Sequence, residues 1–152
     1  MRLLDEYCTG LAALDVPETR PHDFDTFWQE TLALATTTPL NVRGNVLDQP
    51  IDAITVHDLQ YDGLDGTPIN AWFITPRAAS PAAPLPVVVI YHGAGGSRGI
   101  PQYYLHWICL GCAVVALDFR MQAGLAASHT GFMAGPNMSW FALGLLDKKT
   151  YY

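Results

Sequence analysis

The chain has 152 residues, half of them hydrophobic, and a formal net charge of −6. That length and apolar content support one domain of ordinary size with a real core and exclude a disordered chain. The negative charge argues against a nucleic-acid partner, which needs a basic footprint.

The charge is unevenly spread. Residues 1–66 hold 12 Asp and Glu against 3 Lys and Arg, and residues 67–152 hold 2 against 5. The first part therefore reads as a solvated face and the second as core. The opening decapeptide, MRLLDEYCTG, has no apolar run of the kind a signal peptide carries, and no stretch approaches the length of a membrane span. Three cysteines, Cys8, Cys109 and Cys112, make no disulfide framework, so a reducing, cytoplasmic location is expected.

In chain order, residues 1–22 are polar and turn-rich, with Pro17 and Pro21, and are expected to form an N-terminal arm. Residues 23–152 are expected to form one partial sheet with its helices. Asp23 or Asp25 can cap a helix whose apolar stripe is Phe24, Phe27, Trp28, Leu32 and Leu34, stopped at Thr36–Pro39. Ala53–Tyr61 alternates as a strand, Asp62–Gly66 is a hairpin turn, and Ile69–Thr75 is the returning strand. The proline-rich stretch 76–86 is a surface loop.

Val87–Ile90 is a continuous β-branched run, the pattern of a parallel strand covered on both faces. The turn after it, His92-Gly93-Ala94-Gly95-Gly96, can bend sharply. A glycine-rich loop at this place in an α/β-hydrolase sheet supplies one backbone N–H of an oxyanion hole; a plain strand–loop–helix turn is the other reading. Tyr103–Leu110 is a short helix with Gly111 at its C-terminal cap, and Cys112–Leu117 is a second apolar strand. Together they form a βαβ unit and hence a parallel pair. Residues 119–138 read as loop, Trp140–Leu146 is apolar, and Asp147 can cap a helix starting at Lys148.

Three local patterns compete for a site. Gly95-Gly96-Ser97-Arg98-Gly99 matches G-x-S-x-G, with Asp118 and His129 following in the order of a hydrolase triad. An elbow serine must stand at the tip of a strand with a helix starting at once. Ser97 instead lies well past Tyr91, so a minimal Ser97 hydrolase is the weakest alternative. His106, Cys109 and Cys112 have metal-like spacing but lack a fourth ligand, so both cysteines are expected to be small buried hydrophobes and no metal is expected. Asp118 and Arg120 end a strand where parallel sheets bind ligands; they either line a site or pair with each other.

Five stretches together resemble the acetyl xylan esterases and cephalosporin-C deacetylases, family seven of the carbohydrate esterases. They are DFDTFWQETL from Asp23, AWFITPR from Ala71, PVVVIYHGAGGSRGIP from Pro86, ALDFRMQ from Ala116 and GLLDKKTYY from Gly144. The resemblance implies an α/β fold in which this chain is the N-terminal half of an α/β-hydrolase sheet, an antiparallel hairpin leading into parallel strands. It implies deacetylation of small acetylated saccharides or cephalosporin-like esters, with no cofactor. The Ala94 N–H would be the oxyanion donor, and His92, Gly93, Arg120 and Gln122 would border the substrate. Two departures are local: the family's Arg-Gly-Gln signature is Arg120-Met121-Gln122 here, and Ala94 replaces an aromatic residue. The third is length, because the family's serine elbow, acid and histidine come after the last residue of this sequence. The alternative expectation is therefore a non-catalytic product, or a subunit that complements a separate C-terminal half. Homo-oligomerisation is the other partnership considered.

Overall fold

A computed structural model describes residues 2–15, 17–122 and 147–150. The apolar run 140–146 and His129 lie outside the described residues. The chain divides into two compact units, residues 1–36 and 37–152.

The first unit holds two helices, α1 (Arg2–Ala12) and α2 (Phe24–Thr37). The sequence reading assigns no element to residues 2–12, yet Leu3, Leu4, Tyr7 and Leu11 recur at helical spacing and form an exposed stripe. Thr9 and Gly10 hide that period, because both are weak helix formers; the Thr9 hydroxyl donates back to the Asp5 carbonyl at 2.8 Å. In α2 the Phe27 N–H bonds the Asp23 carbonyl at 2.9 Å, the first bond of the helix. The Arg20 guanidinium pairs with Asp25 and lies 4.7 Å from the Phe24 ring centre.

The second unit is built on a five-stranded sheet. Its strands are β1 (Arg43–Leu47), β2 (Ile54–Asp62), β3 (Pro68–Pro76), β4 (Val87–Tyr91) and β5 (Ala113–Leu117), in the order β1-β2-β3-β5-β4. β1 was invisible to patterning: all five residues are exposed, and two are Gly44 and Asn45. β2 and β3 pair antiparallel from Ile54↔Pro76 to Asp62↔Pro68. The turn between them closes with Gly63 N–H on the Thr67 carbonyl at 2.8 Å and Thr67 N–H on the Asp65 carboxylate at 3.0 Å. β3 pairs antiparallel with β5, and β5 pairs parallel with β4.

The β4–β5 crossover is a 3-10 turn, Pro101–Tyr104, followed by α3 (Leu105–Cys109). Gly111, at φ +80°, ends α3. Its N–H reaches the Ile108 carbonyl, and the Cys112 N–H reaches that of Trp107, the paired bonds of a Schellman cap. Farther along, the Asp147 carboxylate accepts the Lys149 N–H at 2.9 Å and caps a 3-10 turn, Lys148–Thr150.

Cross-strand register assembles the core. Val56, Ile74, Val114 and Val88 stand in one row, and Trp72, Ala116 and Ile90 in the next row on the same face. Tyr104, Leu105, Trp107 and Ile108 pack there from the crossover. The most buried strand is β5, with only Val115 half-buried, not β4. Val87, Val89 and Tyr91 are 53, 47 and 64 % exposed, so the expected two-sided cover of β4 fails. Among the described residues β4 has β5 as its one partner and forms the sheet's edge. No described helix is long and apolar enough to cross a membrane.

Candidate active site

Period-two alternation carries one face of the sheet past its apolar rows into a polar end. Asp58 pairs with Trp72 across β2 and β3, and Trp72 with Ala116 across β3 and β5. Two residues beyond Ala116 on the same side is Asp118; two beyond Ile90 is His92. The glycine loop leaves β4 over this end.

The Gly96 N–H closes a turn on the Gly93 carbonyl at 3.0 Å. Gly95, at the third position, has φ +73°, the left-handed value a type II turn requires there. Ala94 occupies the second position, is exposed, and among the described residues its N–H makes no hydrogen bond.

The segment leaving β5 fastens this loop at three points. The Asp118 carboxylate accepts the Arg98 N–H at 2.7 Å. The Phe119 N–H donates to His92 Nε2 at 3.0 Å, and His92 Nδ1 lies 2.8 Å from the Gly93 carbonyl. The neutral imidazole satisfies both contacts when Nδ1 carries the proton. Gln122 Oε1 accepts the Gly95 N–H at 2.8 Å.

His92 and Gln122, expected at the substrate, thus spend their polar atoms on Gly93 and Phe119 and on Gly95 respectively. Gly93 is exposed at the start of the turn. Arg120 does not pair with Asp118. Its guanidinium is nearly covered and reaches Asp65 in the β2–β3 turn at 2.9 Å. Asp118 is instead the partner of Arg98, with Arg98 Nε 3.6 Å from Oδ2.

Arg98 is the residue sequence reasoning missed. It is 6 % exposed, and its guanidinium bonds Asp58 at 2.6 Å and the Ala71 carbonyl at 3.0 Å. Its central carbon lies 3.6 Å from the Trp72 ring centre. Trp72 Nε1 donates to the Gly99 carbonyl, and the Tyr104 hydroxyl to the Arg98 carbonyl. Burial, then the Asp118 charge, then Tyr103 raise the Tyr104 pKa above its ordinary value. The available signal was the shared strand face of Asp58 and Trp72, opposite an arginine set among glycines.

The other candidates come apart. The Ser97 hydroxyl accepts the Gly99 N–H at 3.3 Å, and the carboxylate meant for its triad belongs to Arg98. Cys109 is exposed, correcting the expectation of burial: it shares the outer face of α3 with His106, while Leu105 and Ile108 turn inward. Among the described residues, no three His, Cys, Asp or Glu side chains converge as a metal set.

The profile of the acetyl xylan esterase family matches residues 1–152. The chain belongs to the acetyl xylan esterase family. Among solved structures it is similar to the acetyl xylan esterase from Paenibacillus sp. R4, at 40 % identity and a TM-score of 0.81 over 90 % of this chain. It shares its fold with acetyl xylan esterase 1 from Thermoanaerobacterium sp. JW/SL YS485, at 23 % identity and a TM-score of 0.76 over 88 % of the chain. In both comparisons the match covers 44 % of the other enzyme. The five-stranded mixed sheet and the glycine loop thus belong to an acetyl xylan esterase fold, read over less than half of its length.

Proposed function

We propose that this chain carries the oxyanion-loop part of an ester hydrolase that removes acetyl groups from acetylated xylo-oligosaccharides and similar small esters, cephalosporin-type acetates included. In such a reaction a serine hydroxyl attacks the acetyl carbonyl, a histidine takes the serine proton, and backbone N–H groups hold the oxygen as it becomes an oxyanion. The observation that carries the reading is the Ala94 N–H, exposed on a hydrogen-bonded turn beyond the end of β4 and bonded to nothing among the described residues. Gly93 borders the same space. His92 and Gln122 contribute by holding the loop, and Arg120 by tying the segment after β5 to the β2–β3 turn. The nucleophile and base are assigned to the part of the fold outside the matched 44 %, supplied in the same polypeptide or by a complementing subunit. Free Cys8, Cys109 and Cys112 favour a reducing, cytoplasmic setting.

The test is reconstitution. Residues 1–152 alone are expected to leave p-nitrophenyl acetate untouched beyond a denatured control, because an oxyanion donor without a nucleophile retains little catalysis. Mixed with the remaining C-terminal part of the Paenibacillus enzyme, they are expected to restore turnover. Ala94→Pro deletes the N–H yet suits the second position of a type II turn. It should lower reconstituted turnover by about 10²–10³-fold, the usual cost of one oxyanion donor. Full activity in Ala94→Pro would refute the assignment, and turnover by the chain alone that disappears in Ser97→Ala would transfer the reaction to Ser97.

A further inference from the structure

The loop that presents Ala94 is short, glycine-rich and mostly exposed, so its own backbone does not hold it in one shape. We propose that Arg98 is its positioning residue, the buried anchor that sets where the Gly93–Gly96 turn stands over the carboxyl ends of β4 and β5.

Two groups of contacts support this. The first lies on the side chain. The guanidinium is enclosed by Asp58 from β2, Asp118 from the exit of β5, the Ala71 carbonyl and the Trp72 ring of β3. Three strands therefore converge on one planar cation whose donors have fixed directions. The second lies on the backbone. The Arg98 N–H is bonded to Asp118, the Arg98 carbonyl to the Tyr104 hydroxyl, and the Gly99 carbonyl to Trp72 Nε1. The same Asp118 and Trp72 thus hold both the side chain and the adjoining backbone.

A buried ion pair adds little net stability compared with apolar packing, but it admits few arrangements. Here the arrangement it selects is that of the loop. Arg98 touches no reacting atom; it acts through the backbone that ends at Ala94.

The inference draws its catalytic meaning from the oxyanion reading above, but its test does not require turnover. Amide hydrogen exchange is followed by NMR on the 152-residue chain. Reporters are Gly95, Gly96, Arg98 and Gly99 in the loop, and Val114–Ala116 in β5. Two variants are compared with the parent. R98K keeps the charge without the planar fork. R98M/D118N removes the Arg98 and Asp118 charges, so that no unpaired buried carboxylate is left behind and the partly exposed Asp58 meets solvent, while the D118N amide oxygen can still accept the backbone N–H at position 98.

In both variants the loop amides are expected to exchange at least about tenfold faster, with β5 amides changed less than about threefold, since local opening is separable from global opening. Loop amides that keep their protection would overturn the proposal. So would loop and β5 amides that lose protection together in both variants, because Arg98 would then support the whole fold. Loss of oxyanion function in the reconstitution assay with an intact Arg98 effect would count against the esterase reading alone.

Discussion

Met121 shows best how one residue can sit against its backbone. Its φ is +58°, a left-handed value that disfavours side chains bearing a Cβ. The family signature puts glycine between the Arg and Gln at this place. The neighbours explain why the conformation is kept: Arg120 reaches back to Asp65, and Gln122 reaches forward to the Gly95 N–H. Both contacts are made from one tight bend. The Met121→Gly variant is expected to stabilise the chain by about 1 kcal/mol, the relief of left-handed strain exceeding the added freedom of the unfolded chain. Thermal unfolding would show a rise of about 2–4 °C for a chain of this size. An unchanged or lowered midpoint would mean that the methionine side chain contributes more than the bend costs.

At the scale of elements, the crossover from β4 to β5 depends on a clean stop to a very short helix. Gly111 provides it at φ +80°, and no atom lies within 4 Å of where its Cβ would stand. Gly111→Ala therefore isolates backbone conformation from crowding. It should lower stability by about 1 kcal/mol, measured as a shift of the denaturant midpoint with unchanged slope. A neutral result would show that Schellman bonds are not needed to turn the chain into β5. This cap was legible in the amino-acid order alone, because a glycine between an amphipathic run and an apolar strand has few other uses. The hairpin of β2 and β3 was equally legible from Asp62–Gly66. β1 was not: a short exposed strand with Gly44 and Asn45 owes its existence to the β2 edge it joins, from Arg43↔Gln60 to Leu47↔Val56.

For the whole molecule, the outstanding feature is the outer edge of β4. It presents apolar and aromatic side chains, about half or more exposed at alternate positions, with no lysine and no proline inside the strand. Natural edges are blunted by such devices, and an unblunted one pairs readily. The purified chain is expected to associate through this edge as concentration rises through tens of micromolar, as seen by light scattering. A Val89→Lys change should reduce that association. A monodisperse parent that unfolds in one cooperative transition would sink the idea.

The sequence by itself determined the order and type of most elements, the place of the glycine loop, and the family. Those depend on local chemistry: β-branched runs, turn residues at fixed offsets, and a cap that only glycine fills without strain. It also pointed to His92, Gly93, Ala94, Arg120 and Gln122 as residues that follow β4 and β5 in the chain, though not to Arg98. Only the tertiary structure decided what each of them does. Whether Arg120 meets Asp118 or Asp65, and whether Asp118 serves Ser97 or Arg98, depends on register between strands far apart in sequence. The burial of Arg98 follows from the same register, which brings Asp58, Trp72 and Asp118 to one face. The exposure of β4 was likewise a question of neighbours: a valine run is the same in sequence whether or not another strand or helix covers it.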